Sequence, residues 1–344
     1  MLEQTIAAHD SAVRVCDEAS RNPLRSSSAA APQLSVVIPC FNESAVIRET
    51  HARVKAVCEG TGLSHEIVLV NDGSSDGTWQ ILEDLSASDP AVVAVNLSRN
   101  HGHQLALSAG LWACSGERVL IMDADLQDPP ELLPDMLKVM DDGADVVYAQ
   151  RRSRPGDAPV KRAMCAIYYR LLKLVSDRPI PIDTGDFRLV SRRVCDLIVR
   201  MPERQRYIRG MVSWVGFRQE PILYDRDARA AGETKYPFRK LLALAINGVI
   251  SSSVKPLAFA AVLGVVAILL GTLLTAYALI SWIANGSTPQ GWTSLMVVVV
   301  FMGGTQLLML GIIGEYIGRL FEQSRGRPAF MIDRIVRRPG AGGA

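Results

Sequence analysis

The chain has 344 residues, with 37 basic against 35 acidic side chains, and 49% of its residues are hydrophobic. A near-neutral charge excludes a dedicated nucleic-acid-binding protein, which would carry a strongly basic domain. A charged fraction of only 21% is low for a soluble globular protein. Part of the chain must therefore be unusually apolar.

The first 33 residues are mixed polar residues with many Ala and Ser. They contain no apolar core of the length that a signal peptide needs. A segment of this composition buries little apolar surface, so we predict a disordered N-terminal tail over residues 1–33.

Short apolar runs alternate with amphipathic stretches from residue 34 onward. The runs are bounded by turn residues and predict strands at Leu34–Ile38, Glu66–Val70, Val92–Leu97, Arg118–Met122 and Asp145–Ala149. The stretches between them predict helices over 43–58, 76–86, 102–114 and 129–142. This alternation predicts an α/β domain with a doubly wound, mostly parallel sheet over residues 34–230. Ligands of such sheets bind at the carboxyl ends of the strands.

Acidic and amide side chains follow three of the predicted strands. They are, in chain order, Asn42, Glu43, Asp72, Asp123, Asp125 and Gln127. Because the carboxyl ends of parallel strands meet at one edge, these side chains are expected to converge there. Asp76, in the turn after the second strand, is expected to be the N-cap of the next helix.

Asp123 and Asp125 directly follow the fourth strand. Two neighbouring carboxylates repel each other, and keeping both ionised favours a hard divalent cation, Mg²⁺ or Mn²⁺, that bridges phosphate oxygens. The pair therefore predicts metal ligands in a nucleoside diphosphate site. The structural alternative is a loop in which these aspartates cap the backbone before Pro129.

Other polar residues are less specific. His101 and His103 have no third metal ligand near them in the sequence, so we expect a helix start beside a ligand or simple solvent exposure. Arg151 and Arg152 follow the fifth strand and fit either a solvated face or an anion site. Asp186 is expected in a loop, where composition alone does not separate it from a turn aspartate.

The C-terminal part of the chain explains the apolar composition. Residues 256–314 contain no Asp, Glu, Lys, Arg or His, and the polar break at 285–291 divides them. This pattern predicts transmembrane helices at 255–284 and 293–318, joined by an extracytoplasmic loop at 285–292. Residues 231–254, with a basic edge, predict an interfacial amphipathic segment.

The charges that flank the two spans predict their orientation. Basic residues precede the first span and follow the second: Arg239, Lys240, Lys255, Arg319, Arg325 and Arg327. The loop between the spans has no charge. By the positive-inside rule both ends lie in the cytoplasm, and residues 319–344 form a cytoplasmic tail.

Five motifs together resemble the inverting family 2 glycosyltransferases. They are Pro39 to Glu43, Asn71 to Thr78, Asp123 to Pro130, Thr184 to Arg188 and Gly232 to Tyr236. More narrowly, they resemble the bacterial polyisoprenyl-phosphate glycosyltransferases, relatives of dolichol-phosphate mannose synthase. The resemblance covers roughly residues 34–325 and implies the GT-A fold for the α/β domain.

The resemblance also implies roles for residues at the matching positions. The nucleotide contacts would be Pro39, Asn42, Glu43 and Asp72, and the contacts to metal and diphosphate would be Asp123 and Asp125. Gln127 would contact the sugar, and Asp186 matches the place of a candidate base or acceptor-orienting group. The phosphates of acceptor and donor would be contacted by Arg151, Arg152, Arg209 and Lys235.

The implied reaction is a hexosyl transfer with inversion from a nucleotide sugar to undecaprenyl or another polyprenyl phosphate, which supplies a lipid-linked sugar for envelope glycans. Glucose from UDP-glucose is the favoured donor, with UDP-N-acetylglucosamine, a UDP-aminosugar or GDP-mannose as alternatives. The stretch Gln205 to Gly210 lacks the Q-x-x-R-W spacing of processive members, so we expect transfer of a single sugar. An acceptor phosphate with a second pKa of about 6 is already ionised at neutral pH, so Asp186 is expected to orient more than to abstract a proton.

The resemblance further implies a multi-pass protein of the bacterial inner membrane that contacts membrane lipid and forms a homo-oligomer, a tetramer. A flippase for lipid-linked sugars is the rival of another class, but the two spans carry no charge pair or broken helix. A non-catalytic membrane scaffold is the other rival, and the intact Asp123 and Asp125 argue against it.

Overall fold

A computed structural model describes residues 31–151, 184–204, 206–224, 255–285 and 291–338. The chain forms two compact units. The first contains Met1–Pro159, Ile180–Lys235 and Pro328–Ala344, and the second contains Val160–Pro179 and Tyr236–Arg327. The expected tail up to residue 30 and the expected interfacial segment 231–254 lie outside the described residues.

The first unit alternates strands and helices. Its strands are β1 (Leu34–Cys40), β2 (His65–Asn71), β3 (Val92–Leu97), β4 (Arg118–Ile121), β5 (Val146–Arg151), β6 (Thr184–Ser191), β7 (Gln219–Tyr224) and β8 (Ile332–Arg337). Its helices are α1 (Ile47–Gly60), α2 (Thr78–Ser88), α3 (His103–Ala113), α4 (Leu133–Asp141), α5 (Arg192–Arg200) and α6 (Ile208–Val215), with a 3-10 turn at Pro130–Leu132. All five predicted strands and all four predicted helices are present, with boundaries shifted by a few residues.

The strands form one eight-stranded sheet in the order β7-β5-β6-β4-β1-β2-β3-β8. Strands β4, β1, β2 and β3 are parallel neighbours, as are β5 and β7. Two strands run the other way: β6 is antiparallel to both β4 and β5, and β8 is antiparallel to β3. The predicted mostly parallel α/β sheet is therefore confirmed, with two antiparallel strands that the sequence pattern did not predict: β6 inside the sheet and β8 at its edge.

Helices cover both faces of this sheet. Val36 and Ile38 of β1 lie in one core, with side chains from α1, α2 and α4, whereas Val37 lies in a second core with side chains from α3, α5 and α6. Because β1 is buried on both faces, all seven of its residues are buried. Burial on both faces explains why the central strands are continuous apolar runs without polar alternation.

The second unit contains two long helices, α7 (Lys255–Asn285) and α8 (Trp292–Ser324). Both are long and apolar enough to cross a membrane by length and composition. Large apolar side chains such as Leu273, Ile283 and Leu307 are exposed along them. Helices in the core of a soluble protein would bury these side chains, so their exposure favours a lipid environment.

The strand β8 follows α8 after residues 325–331. It falls in the segment that the sequence analysis assigned to a cytoplasmic tail, and it pairs with β3 from Val93↔Arg337 to Leu97↔Ile332. The chain therefore leaves the first unit before α7 and returns to the same sheet after α8.

Close packing of α3 against the sheet depends on Gly110. A Cβ atom at this position would clash with Val37 Cγ1 and lie 3.1 Å from Val70 Cγ2. We predict that Gly110→Ala destabilises the protein by about 1–3 kcal/mol, because overpacking forces the helix away from the sheet. The measurement is thermal unfolding of the purified protein in detergent.

Gly60→Ala is the matched control, because no atom lies within 4 Å of a Cβ built at Gly60. Adding Val37→Ala to Gly110→Ala should recover part of the lost stability, since it removes the clashing methyl group. Equal unfolding temperatures for Gly110→Ala, Gly60→Ala and the native protein would contradict this account of the packing.

Candidate active site

The loops after β1 and β2 are hydrogen-bonded to each other. The backbone N–H of Asn42 donates to Ser74 Oγ over 3.0 Å, and the N–H of Ser75 donates to Asn42 Oδ1 over 2.9 Å. The N–H of Glu43 donates to Thr78 Oγ1 over 2.9 Å. Two of the predicted nucleotide contacts are thus fixed in one rigid rim, and Asn42 has a φ of 56° there, which asparagine tolerates better than most residues.

Asp76 supports the same rim from the start of α2. Its carboxylate accepts the N–H groups of Ser44 and Thr78, each over 3.1 Å. Burial raises the pKa of Asp76, but the hydrogen bonds from Thr78 and Ser44 outweigh this and lower it to about 2. The prediction of Asp76 as the N-cap residue is off by one position, because Gly77 occupies the N-cap and α2 begins at Thr78.

Asp72 ends this rim and connects it to α3. One carboxylate oxygen accepts the N–H of His101 over 2.7 Å, and the other accepts the N–H of Gly102 over 2.9 Å. The next residue, Gly73, has a φ of 66°, and a Cβ atom there would lie 2.5 Å from the backbone nitrogen of Asn100. Glycine is required for this close approach of the two loops. A nucleotide contact for Asp72 stays a prediction.

Asp186 lies in strand β6 and not in a loop, which corrects the sequence analysis. Since β6 runs antiparallel to β4, its first residues meet the carboxyl end of β4. The register pairs Ile121 with Arg188. When this antiparallel register is continued by two residues, Asp123 lies opposite Asp186. An antiparallel insertion therefore adds a carboxylate to an edge otherwise built from the ends of parallel strands.

Three side chains donate to the buried carboxylate of Asp186. Arg209 donates from Nε to Oδ1 over 2.7 Å and from Nη2 to Oδ2 over 3.1 Å. Gln104 Nε2 and His103 Nε2 each lie 3.2 Å from Oδ2. Gln104 also accepts the N–H of Ile208 over 2.9 Å, at the first residue of α6. Asp186 thus joins β6 to the starts of α3 and α6.

These contacts determine the charges of the cluster. Burial raises the pKa of Asp186, but the hydrogen bond from His103 and the Arg209 guanidinium outweigh it and hold this pKa well below its usual range. Burial lowers the pKa of His103, but the hydrogen bond to Asp186 and the negative charge of Asp123 outweigh it and raise this pKa. An ionised Asp186 beside a readily protonated His103 is the resulting arrangement.

Asp123 is in the opposite electrostatic situation. Burial, together with the negative charges of Asp186, Asp128 and Asp125, raises its pKa to about 6, although His103 partly offsets this. Its buried Oδ1 lies 3.5 Å from His103 Nε2, and no hydrogen bond from the described residues reaches that oxygen. A cation placed here would stabilise the ionised form.

Gln127 supplies a second buried acceptor in the same loop. Its Oε1 is buried and has no hydrogen-bond partner among the described residues. Its N–H donates to Asp125 Oδ1 over 3.2 Å, which fixes the Asp125 side chain against the loop backbone. Buried acceptors without donors are rare in proteins, and carboxylate and amide oxygens are the ligands that Mg²⁺ and Mn²⁺ prefer. The loop after β4 therefore fits a divalent cation held by Asp123 and Asp125, with Gln127 facing the ligand.

His103, Asp123 and Asp186 also place ligand atoms within 4.8 Å of one another. This trio is a weaker metal site, because Asp186 already accepts hydrogen bonds from Arg209 and Gln104, and a protonated His103 cannot coordinate a metal. We interpret His103 as a charge partner for the two carboxylates.

The remaining predicted site residues divide into two groups. Pro39 is buried near the end of β1, and Arg151 is the last residue of β5, at the edge where the other residues lie. Arg152 and Lys235 lie outside the described residues. The sequence analysis did not assign His103 and Gln104 to the site, because their contacts depend on the antiparallel register of β6.

The raised pKa of Asp123 makes cation binding dependent on pH. Near pH 5 a proton occupies the carboxylate whose pKa is about 6, and a cation must displace it. We predict that Mn²⁺ binds about tenfold more weakly at about pH 5 than at about pH 7.5. Electron paramagnetic resonance of free Mn²⁺ measures this affinity.

Asp123→Asn should remove Mn²⁺ binding at both pH values. Asp135→Asn, which alters an exposed carboxylate paired with Lys138 on α4, is the control and should bind Mn²⁺ like the native protein. Affinity that does not change with pH, or that survives Asp123→Asn, would refute this cation site.

Comparisons with known proteins agree with this architecture. Residues 35–198 match the model of Glycosyl transferase family 2, and residues 255–320 match the GtrB C-terminal hairpin. The glycosyltransferase YkcC of Bacillus subtilis strain 168, described as uncharacterized, is 44% identical over 88% of this chain and 94% of its own length. The prophage bactoprenol glucosyl transferase homolog of Escherichia coli K12 is 38% identical over 88% of this chain and 99% of its own length.

Among solved structures, the mannosyltransferase PcManGT of Pyrobaculum calidifontis, in complex with GDP-Man and Mn²⁺, covers 93% of this chain and 98% of its own. Its sequence identity is 18% and the TM-score is 0.45. The identities to the two bacterial relatives, over nearly their whole lengths, establish the family. The chain is a glycosyltransferase of family 2 with the GT-A fold and a GtrB-type C-terminal hairpin.

Proposed function

We propose that this enzyme transfers one sugar from a nucleoside diphosphate sugar to a polyprenyl phosphate, with inversion at the anomeric carbon. The observation that carries the proposal is the loop after β4, where Asp123 and Asp125 fit a cation, in a chain that continues into two helices apolar enough to cross a membrane. The edge suits a diphosphate donor, and the helices suit an acceptor that resides in lipid. Catalysis would take place on the cytoplasmic side of a bacterial inner membrane.

The donor would bind along the rim formed by the loops after β1 and β2. The hydrogen bonds between Asn42, Ser74 and Ser75 fix the shape of this rim before a ligand arrives. A divalent cation supplies charge stabilisation to the leaving diphosphate when it is bound. Asp123 and Asp125 would hold that cation, and the orphaned Oε1 of Gln127 would accept a hydrogen bond from the sugar.

In the transfer step, an oxygen of the acceptor phosphate attacks the anomeric carbon from the face opposite the diphosphate. The new carbon–oxygen bond forms while the bond to the diphosphate breaks, and the nucleoside diphosphate leaves with the electron pair. A phosphate monoester has a second pKa of about 6, so the attacking oxygen is already ionised at neutral pH. The reaction needs no proton transfer from the acceptor.

The contacts of Asp186 support a positioning role. Its carboxylate is buried and already accepts hydrogen bonds from Arg209, Gln104 and His103. A carboxylate whose pKa lies well below its usual range is a weak base. We therefore assign to Asp186 the orientation of Arg209 and His103, whose positive charges would face the phosphates.

Glucose from UDP-glucose is the donor that we propose, and bactoprenol phosphate is the acceptor. The support is the similarity to the Escherichia coli relative, a prophage bactoprenol glucosyl transferase homolog. The GtrB C-terminal hairpin that residues 255–320 match contains both helices apolar enough to cross a membrane, which suits an acceptor that resides in lipid.

A direct assay tests the reaction and the donor. The purified protein is incubated in detergent with undecaprenyl phosphate, Mn²⁺ and one nucleotide sugar at a time: UDP-glucose, UDP-N-acetylglucosamine or GDP-mannose. We expect mass spectrometry to detect the lipid with one added hexose in the UDP-glucose sample. Asp125→Asn should lower the rate at least about a hundredfold, and EDTA should abolish it, because the leaving diphosphate loses its charge stabilisation.

Asp135→Asn serves as the control in that assay, because this exposed carboxylate lies on α4 and forms an ion pair with Lys138. Full activity in EDTA would overturn the metal role. Absence of a glycolipid with every donor would overturn the proposed reaction.

The role of Asp186 makes a separate prediction. If Asp186 orients its neighbours, Asp186→Asn added to a His103→Gln background should lower the transfer rate by the same factor from about pH 7 to about pH 9, because the acceptor is ionised throughout this range. The His103→Gln background is needed because Asp186 also raises the pKa of His103. The measurement is the ratio of the rates of His103→Gln and the double variant across that range. A ratio that shrinks steadily as the pH rises would show that hydroxide replaces a lost base, and would refute the orienting role.

A further inference from the structure

The C-terminal strand β8 is connected to the candidate donor rim by a chain of polar side chains. Asn96 Nδ2 of β3 donates to Asp333 Oδ2 of β8 over 3.1 Å. Asn71 Nδ2 of β2 donates to Asn96 Oδ1 over 2.8 Å. The N–H of Ser74 then donates to Asn71 Oδ1 over 3.2 Å. The chain thus runs from β8 across β3 and β2 to the turn that carries Asp72.

Ser74 extends this chain to the loop after β1. Its Oγ accepts the N–H of Asn42, which is one of the predicted nucleotide contacts. Asn71 is almost fully buried, whereas the side chain of Asp333 is about half exposed. The amide of Asn96 has a fixed orientation in this network, because it accepts from Asn71 and donates to Asp333.

A second connection reaches the loop before α3. The N–H of Ser98 donates to the carbonyl of Met331 over 3.0 Å, and the N–H of Met331 lies 3.4 Å from His101 Nε2. The backbone N–H of His101 in turn donates to Asp72. Met331, next to β8, therefore contacts the loop before α3 whose backbone binds the Asp72 carboxylate.

We propose that β8, the strand that follows the apolar hairpin, positions the donor-binding rim, and that Asp333 is the positioning residue through which it acts. The inference rests on the proposed use of this rim for a nucleoside diphosphate. Asp333 touches no reacting atom in this scheme. It fixes the Asn96 amide, which fixes Asn71, which in turn fixes the turn between β2 and α2.

The neighbouring residue on β8 provides a matched control. Arg334 lies 3.2 Å from Glu83 of α2 in an ion pair and places its guanidinium 5.5 Å from the centre of the Trp79 ring. It also lies 3.5 Å from Asp333. Arg334→Ala therefore removes contacts between β8 and α2 but leaves the hydrogen bonds that connect Asp333 to Asn71. If β8 only stabilised the fold, Asp333→Ala and Arg334→Ala would have the same effect on UDP binding.

The experiment measures the affinity of UDP with Mn²⁺ for the full-length protein in detergent by isothermal titration calorimetry, together with the KM for UDP-glucose and kcat. We expect Asp333→Ala to weaken UDP binding and raise this KM by about threefold to tenfold, the loss of roughly one net hydrogen bond. We expect kcat to stay within about twofold of the native value, because the lost contact stabilises the bound donor equally in the ground state and the transition state. Arg334→Ala should bind UDP like the native protein.

A pair of isosteric changes tests the chain itself. Asn96→Asp sets a carboxylate against Asp333 and should weaken UDP binding at least about tenfold through like-charge repulsion and loss of the donor. Adding Asp333→Asn should restore binding to within about threefold of native, because the amide introduced at position 333 can donate to the carboxylate at position 96. A merely destabilising change would not be repaired in this way.

The outcomes separate this inference from the proposed function. Native protein that binds no UDP would refute the nucleotide site and not only the role of β8. Native protein that binds UDP, with Asp333→Ala binding equally well or Arg334→Ala binding equally poorly, would refute the positioning role alone. Failure of the double variant to regain binding would do the same. Unfolding temperatures of every variant are measured alongside, and restoration of UDP binding in the double variant decides the case if Asp333→Ala is unstable.

Discussion

The ionised carboxylate of Asp186 is the interaction on which the candidate site depends. A buried charge destabilises a protein unless hydrogen bonds and opposite charges surround it. Asp186 obtains both from Arg209, Gln104 and His103, which come from the starts of two helices. Since none of these side chains can move away without leaving the charge unpaired, β6, α3 and α6 are held together at the edge of the sheet. The fixed geometry of the site follows from the need to satisfy one carboxylate.

The ionised carboxylate of Asp186 also affects the neighbouring carboxylate of Asp123. Asp123 stands opposite Asp186 and has a raised pKa and a buried oxygen that no described donor reaches. Arg209 neutralises Asp186 directly, whereas burial and the neighbouring carboxylates keep the pKa of Asp123 raised. A cation that arrives with a diphosphate would neutralise the charge of Asp123 and the phosphates together. Donor and cation binding are therefore expected to depend on each other.

Sequence patterns predicted the central strands because burial on both faces makes them continuous apolar runs, and these runs fixed where Asn42, Asp72 and Asp123 would lie. They did not predict β6, in which Asp186 and Arg188 interrupt the apolar pattern although both side chains are buried. Asp186 is paired there with Arg209, which lies 23 residues further along the chain. Strand β8 was missed for a related reason, because Ile332–Arg337 is short and half charged. Its partner lies more than 230 residues away in the chain, and local patterns contain no information on such pairing.

The pairing of β8 with β3 bears on membrane topology independently of charge. The two strands share one sheet, so the chain segments that contain them must lie on the same side of any membrane. An odd number of crossings between Tyr224 and Ile332 would separate them. Helices α7 and α8, when both cross, return the chain to the side from which it left. Hydrogen bonding in the sheet thus requires an even number of crossings between these segments. It does not depend on charge, whereas the proposal that the shared side is the cytoplasm depends on the basic residues that flank the hairpin.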